Sequence, residues 1–277
     1  QNFDPVPANR YGDAMDIPDQ PAAEALNPGR PAATLVIVRD RPGRQPDLLM
    51  LERASTMAFA AGALVFPGGA VDPADHVLAD SLAHGLAPEE AAARIAAIRE
   101  SIEECGIAIG LTGTPNPAMI GRIRHGLAHG ERLGDLLAGH GLSLALDALT
   151  PFARWHPSAR EMARRVYDTR FYLARAPQGQ EASVDATENV HLFWSGAAET
   201  LARCDAGQGH VIFPTRRNLE RLAMADSHAA LVAHAAAFPV EKIRPWIEER
   251  DGEAHLCIPD HLGYPVTSEP MQGVRRG

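Results

Sequence analysis

Cysteine is scarce in this chain, with three in 277 residues. Cys105, Cys204 and Cys257 lie far apart, form no Cys-x-x-Cys pair and have no metal-ligand spacing. That argues against a disulfide scaffold or a zinc ribbon and makes a reducing compartment the default. Positive charge is also short: the net charge is −9. A phosphate backbone is met by a basic footprint, so no nucleic-acid partner is expected. No apolar run approaches the roughly 18–20 residues that span a bilayer. Gln1-Asn2-Phe3-Asp4-Pro5 lacks the charged-then-apolar layout of a secretion signal, and Val274-Arg275-Arg276-Gly277 is not a peroxisomal address. The expectation is a soluble, cytoplasmic protein with no membrane partner. Three catalytic patterns are missing as well. The twelve histidines form no His-Glu-x-x-His. Ser227-His228 has no Gly-x-Ser-x-Gly context, and no Gly-Lys-Ser/Thr follows the glycines between Gly134 and Gly141.

The chain is nevertheless rich in core-forming residues, 45% hydrophobic against 22% charged, which excludes a disordered chain. Residues 1–31 carry Pro, Ala, Asn and Asp without helical or strand period and read as an extended arm. An arm of this kind that packs on a second subunit would make a homodimer. Thr34–Val38 and Asp47–Glu52 read as strands, followed by a glycine-rich approach from Phe59 to Gly69 and a loop or short helix over Asp72–Ala87. A helix is predicted from Pro88 to Cys105, then a helical stretch over 117–149 broken by glycines. Strands are expected at Phe152–Trp155, Arg170–Ala174 and Val190–Trp194, with Ser195 as N-cap of the next helix. Two further helices are expected over Thr215–Ala225 and Asp226–Phe238, and a hairpin about Asp251-Gly252 near the end. Strands and helices mix without a βαβ rhythm, which gives an α+β class. The division is an arm over 1–31, a main domain over 32–240 and a hairpin with tail over 241–277.

The Pro88 helix carries the chemistry. Pro88 suits the first helical position, and Glu89 and Glu90 suit the first turn. At about 100° per residue, Ala91, Ile95, Ile98 and Ile102 form one stripe facing the core. Glu100, Glu103 and Glu104 gather on the other side, with Arg99 beside Glu103. Carboxylates at such spacings repel by a few tenths of a kcal/mol per pair. They form either a solvated acidic face or a site for a hard divalent cation, which prefers carboxylate oxygens and substrate phosphates.

Arg99-Glu100-Ser101-Ile102-Glu103-Glu104-Cys105-Gly106-Ile107 resembles the core of the Nudix box, Arg-Glu-U-X-Glu-Glu-X-Gly-U, where U is apolar. Six positions match and Ser101 departs at an apolar one. The box opens with a glycine, a role that fits Gly69 of Phe66-Pro67-Gly68-Gly69, and Asp72 sits where many members carry an acid. The usual separation of that glycine from the arginine is 14 residues; here it is 99 − 69 = 30, an insertion of 16. The usual first glutamate of the box then falls at Ala91, with Glu90 one position off. An insertion there together with this loss resembles the coenzyme A diphosphatase branch. The resemblance spans roughly Ala33 to Ala225. It implies a Nudix α/β/α sandwich with mixed sheet, a helical insertion and terminal extensions. It also implies a diphosphatase in which Glu100, Glu103, Glu104 and the Gly69 carbonyl hold Mg²⁺ or Mn²⁺. In that reading Arg99 orients Glu100, and Arg99, Glu100 and Glu103 are the catalytic set.

The substrate expected from the resemblance is a nucleotide-derived small molecule. Arg53-Ala54, Gly62 and Phe66-Pro67-Gly68-Gly69 keep the spacing of a pattern common to coenzyme A-cleaving members, which makes Arg53, Gly62, Phe66 and Gly68 candidate substrate contacts. Ala58 and Leu51 depart from that pattern, at an arginine and a threonine position. Coenzyme A or acyl-coenzyme A would give 3′,5′-ADP and (acyl-)4′-phosphopantetheine. ADP-ribose, NADH and dinucleoside polyphosphates are the alternatives, with a catalytically silent ligand-binding regulator as a further one. Glu188 is a candidate additional acid. Arg160, Arg164, Arg165 and Arg170 could supply positive charge for phosphates or could be solvated.

Overall fold

The structure, a computed structural model, describes residues 28–54, 62–156, 166–184 and 189–274. Among these, the strands are β1 (Arg30–Arg41), β2 (Arg44–Arg53), β3 (Leu64–Val65), β4 (Gly68–Ala70), β5 (Leu111–Thr112), β6 (Ser143–Leu144) and β7 (Thr150–Trp155), then β8 (Tyr167–Arg175), β9 (Asn189–Gly196), β10 (Lys242–Ile243), β11 (Trp246–Arg250), β12 (Glu253–Cys257) and β13 (Ser268–Pro270). The helices are α1 (Pro73–Ser81), α2 (Pro88–Cys105), α3 (Pro117–Ala128), α4 (Leu133–Gly139), α5 (Ala197–Asp205), α6 (Phe213–Leu222) and α7 (His228–Ala236). Of the predicted arm over 1–31, residues 1–27 lie outside the described residues, as do Ala58, Arg160, Arg164, Arg165 and Glu188, and its end is no free arm: Arg30 and Pro31 belong to β1, beside Tyr167 and Asp168 of β8.

Eight strands form one mixed sheet in the order β10-β7-β8-β1-β2-β3, with β4 added to β1 and β9 to β2. β1 runs parallel to β8 and β10 parallel to β7; the other pairings are antiparallel. β1 and β2 sit in the middle, and their side chains alternate between two cores. Leu35, Ile37, Leu49 and Leu51 face one core; Val36, Val38, Leu48 and Met50 face the other. A strand buried on both faces reads as an unbroken apolar run, and this is why Leu35-Val36-Ile37-Val38 was legible as a strand. Each such side chain, fully buried, contributes about 1.5–3 kcal/mol. β1 is longer than the apolar run because its polar ends are paired too, from Arg30 beside Tyr167 to Arg41 beside Arg44.

Helix α2 lies against the first core with the insertion helices, whose Ile120, Ile123, Leu127, Leu133 and Leu137 share that cluster. Residues Ala197, Phe213, Leu219, Leu222, Leu231 and Ala235 of α5, α6 and α7 close the second. The result is the expected α/β/α sandwich. Among the described residues no helix is long and apolar enough to cross a membrane.

Three expectations are corrected. The predicted single buried stripe on α2 is too narrow. Ala92, Ala93, Ala96 and Ala97 are as fully buried as Ala91, Ile95, Ile98 and Ile102, because α1 and the insertion helices, as well as the sheet, pack on α2. Ser195 does not cap a helix: it is buried in β9, and Gly196 is the N-cap of α5. The C-terminal hairpin turns at Asp251 (φ 53°) and Gly252 (φ 80°) as expected, yet β13 pairs with β12 and makes it three strands. Three residues ending in proline give almost no strand signal.

Candidate active site

Helix α2 begins with Pro88 at its first position and ends at Gly106, which takes the left-handed conformation (φ 65°), as the sequence predicts. The Gly106 N–H reaches the Ile102 carbonyl at 3.0 Å, and the Ile107 N–H reaches the Ser101 carbonyl at 3.2 Å. Ser101, the box's departure from an apolar residue, is fully buried, and its single O–H lies within reach of two carbonyls, Ile98 (2.9 Å) and Ile107 (2.8 Å). Its hydroxyl holds the chain as it leaves the helix, so the polar residue is satisfied where an apolar one is usual.

The glycine-rich turn is fixed from the other side. β4 pairs with β1, placing Gly69 opposite Ala33 and Gly68 opposite Thr34. A Cβ on Gly69 would collide with the Glu100 carboxylate, and one on Gly68 with the Ala33 carbonyl and Thr34. Glycine at these two positions lets the turn lie tight on β1 and beside the Glu100 carboxylate. The Gly68 N–H donates to Glu104 Oε2 at 2.8 Å, so turn and helix are bonded directly.

Arg99 is the hub. Its Nη1 donates to Glu100 Oε1 and to Glu103 Oε2, both at 2.8 Å, and its Nη2 donates to the Ala70 carbonyl at 2.9 Å. On its other edge Nε reaches Asp75 Oδ1 at 3.1 Å and Nη2 reaches Asp75 Oδ2 at 3.0 Å, a two-pronged pair. Burial alone would lower the Arg99 pKa, but the Asp75 hydrogen bond and the surrounding carboxylates raise it. Arg99 therefore stays charged and holds two of the three glutamates of the box.

Asp75 is the functional residue that the sequence reading passed over. It is 2% exposed and also accepts the Asp72 N–H at 2.8 Å. Counted back from Arg99, the first acid of the box fell at Ala91, which is buried in the core. Counted forward from Gly69, the same place is six residues on, at Asp75. The insertion lies between the two halves of the box, so only the forward count finds it. Glu90 has a different task, pairing with Arg94 (2.9 Å) and Arg170 (3.3 Å). It sits about 20 Å along the helix from Glu103, at 1.5 Å per residue. Arg170 is thus engaged away from the box carboxylates.

A solvated acidic face is not what the structure has. Glu104 is 5% exposed, and the side chains of Glu100 and Glu103 are 16% and 29% exposed. Burial pushes the Glu100 carboxyl up to about 8; Arg99 opposes this, and Glu104 and Glu103 add to it. Burial also raises Glu103. Among the described residues no three His, Cys, Asp or Glu side chains stand as a ready metal cluster; Arg99 and the Gly68 N–H bond carboxylate oxygens there. The donor set nevertheless fits a hard divalent cation: it is all oxygen, partly buried, and carries like charges that a cation would relieve.

The candidate substrate residues lie along the β2–β3 hairpin. The Arg53 N–H bonds the Ala63 carbonyl at 3.0 Å, and its side-chain Nε is buried with no partner among the described residues. Gly62 has φ 67°. Phe66 is 4% exposed in the second core, so its side chain anchors the turn from beneath.

Removing Asp75 leaves a buried guanidinium short of its two-pronged partner. Loss of one member of a buried pair costs about 3–5 kcal/mol, and Glu100 and Glu103 still hold Arg99, which favours the lower end. Asp75→Ala is therefore expected to lower the melting temperature by about 6–12 °C, at about 2–4 °C per kcal/mol for a chain of this size. A shift below about 2 °C in a thermal melt would show that the pair is not structural.

No protein-family model matches the chain. The chain is 34% identical over 158 residues to the Nudix hydrolase NudL of Klebsiella pneumoniae, covering 56% of this chain and 76% of that one. It is 26% identical over 296 residues to the human acyl-coenzyme A diphosphatase NUDT19, covering 84% and 76%. Its fold matches a solved Nudix hydrolase from Alicyclobacillus acidocaldarius with a TM-score of 0.65 at 27% identity, over 74% of this chain and 96% of that one. With a box whose two halves the fold brings together and relatives that share most of their length with it, this chain belongs to the Nudix hydrolases, enzymes that act on phosphorus-containing acid anhydrides.

Proposed function

We propose that the protein hydrolyses the diphosphate bond of coenzyme A or an acyl-coenzyme A, giving 3′,5′-ADP and 4′-phosphopantetheine or its acyl form. The observation that carries the substrate is Arg53, whose buried Nε has no partner among the described residues and which stands at the head of the spaced pattern Arg53, Gly62, Phe66 to Gly69. The likeness to an acyl-coenzyme A diphosphatase supports the same reading. Glu100, Glu103 and Glu104 with the Gly69 carbonyl are proposed to hold one or more Mg²⁺ or Mn²⁺. When bound, such a cation neutralises phosphate charge and makes water a better nucleophile. Arg99 keeps Glu100 and Glu103 turned to one side through its shared Nη1, and Glu104 is steered by the Gly68 N–H. Water forms a bond to one phosphorus and gives up a proton, the bridging P–O bond breaks, and the departing phosphate leaves with that oxygen and its electron pair, so that one water is added across the bond.

The test is kcat/KM for coenzyme A, an acyl derivative, 3′-dephospho-coenzyme A, ADP-ribose and NADH, measured side by side with Arg53→Ala. A charge-assisted phosphate contact is worth about 1.5–3 kcal/mol. The variant should raise KM for coenzyme A about 10–100-fold and change kcat less, since ground state and transition state lose the contact alike. A tenfold preference for ADP-ribose or NADH would overturn the substrate and leave the reaction class standing.

A further inference from the structure

Arg124 lies on α3, in the helical insertion, and takes no part in the box. Its guanidinium nevertheless closes the end of the box helix. Nε donates to the Glu103 carbonyl at 2.9 Å and Nη2 to the Glu104 carbonyl at 3.1 Å. Its remaining donors go to Ser183 on the segment after β8: Nη1 to Oγ at 2.8 Å and Nη2 to the carbonyl at 3.0 Å. The Ser183 N–H in turn donates to the Cys105 carbonyl at 3.0 Å. Gln180 brackets the next stretch, accepting from the Ala108 N–H at 2.8 Å and donating to its carbonyl at 3.1 Å.

The last carbonyls of a helix have no partner within it and carry its negative partial charge. Here three of them in succession, at Glu103, Glu104 and Cys105, are met by one cation and one N–H from outside the helix. Two of the three belong to the residues whose carboxylates are proposed to hold the metal. Gly106 leaves the room: a Cβ there would stand 3.3 Å from both Arg124 Nη1 and Ser183 Oγ.

We propose that Arg124 is a positioning residue for the reaction. It fixes the backbone of Glu103 and Glu104, and thus the aim of their carboxylates, by tying the box helix to the insertion and to the Ser183 segment. The proposal rests on the reading of these carboxylates as metal-holding. A partner that orients a metal ligand typically accounts for about 10–100-fold in metal affinity or activity.

The experiment compares Arg124→Ala, Arg124→Lys and Glu103→Gln in the full chain, each with a thermal melt. Mn²⁺ binding is measured by calorimetry, kcat and KM at saturating metal, and hydrogen exchange across residues 103–108 and 180–184. Arg124→Ala is expected to weaken Mn²⁺ binding about 10–100-fold and to lower kcat with KM changed little. It should also speed exchange in both segments while the rest of the chain stays protected. Arg124→Lys should recover only part of this, since a point charge cannot hold two carbonyls and Ser183 in one plane. If Arg124→Ala unfolds, the lysine variant decides on the same readouts. Unchanged Mn²⁺ affinity and kcat in a folded arginine variant, with Glu103→Gln impaired, would overturn the positioning role and leave the carboxylate reading intact. A silent Glu103→Gln would overturn both.

Discussion

Chelation with EDTA is expected to take hydrolysis to background, and added Mg²⁺ or Mn²⁺ to restore it. The argument is electrostatic. Glu100, Glu103 and Glu104 share one end of α2 with little water around them, and burial together with its acidic neighbours pushes Glu100 up to about 8. Arg99 supplies a single positive charge to a group that includes Asp75 as well as the three glutamates. A divalent cation is the natural complement of such a set. Binding to the folded state alone also stabilises it, by about 2.7 kcal/mol at a hundredfold excess over Kd, so saturating metal should raise the melting temperature. Turnover undiminished in chelator, with no thermal response to metal, would rule out the proposed chemistry.

Glu103→Gln and Glu104→Gln should each lower kcat at least about 100-fold, the scale expected when a major electrostatic contributor is removed. Both variants should stay folded. Glutamine keeps the shape and one acceptor oxygen, so the bonds from Arg99 to position 103 (2.8 Å) and from the Gly68 N–H to position 104 (2.8 Å) can persist. The sign of the stability change at Glu103 follows from its raised pKa. A carboxyl whose folded pKa lies above the unfolded one favours folding at low pH and loses that contribution as pH rises through the folded value. Its ionised form is favoured less in the fold than in the unfolded chain, a cost that the neutral amide lacks, so metal-free stability should hold or rise. A clear drop in metal-free melting temperature with activity intact would instead make these residues structural.

Much of this site could be read from the chain. Pro88 and Gly106 mark the ends of α2, and the spacing of Arg99, Glu100, Glu103 and Glu104 survives because a helix turns neighbours in sequence into neighbours in space. The sandwich was legible for a related reason, since runs such as Leu35 to Val38 carry their burial in their composition. What was missed lies across breaks in that local rule. The first acid of the box fell at Ala91 and Asp75 was missed because the distance from Arg99 along the chain runs through an insertion, whereas distance in the fold is set by the Asp75–Arg99 pair. Arg124 carried no signal at all: nothing near it in sequence distinguishes an arginine on a helix surface from one that reaches the carbonyls of another helix. The over-narrow apolar stripe on α2 has the same origin, because the helices packed against it, α1 before it and the insertion helices after it, meet it only in the fold.

The two halves of the box are clasped by charge and not by chain continuity. Asp75 is on α1 and Arg99 on α2, and the connection between them runs over a surface turn where Gly85 has open space around it. Closing a flexible loop costs only about 0.6 kcal/mol more for each doubling of its length. The length of that connection is therefore nearly free to drift, while the clasp keeps the glycine turn and the glutamates in register. The segment between the two halves of the box can therefore change in length without moving the groups it joins.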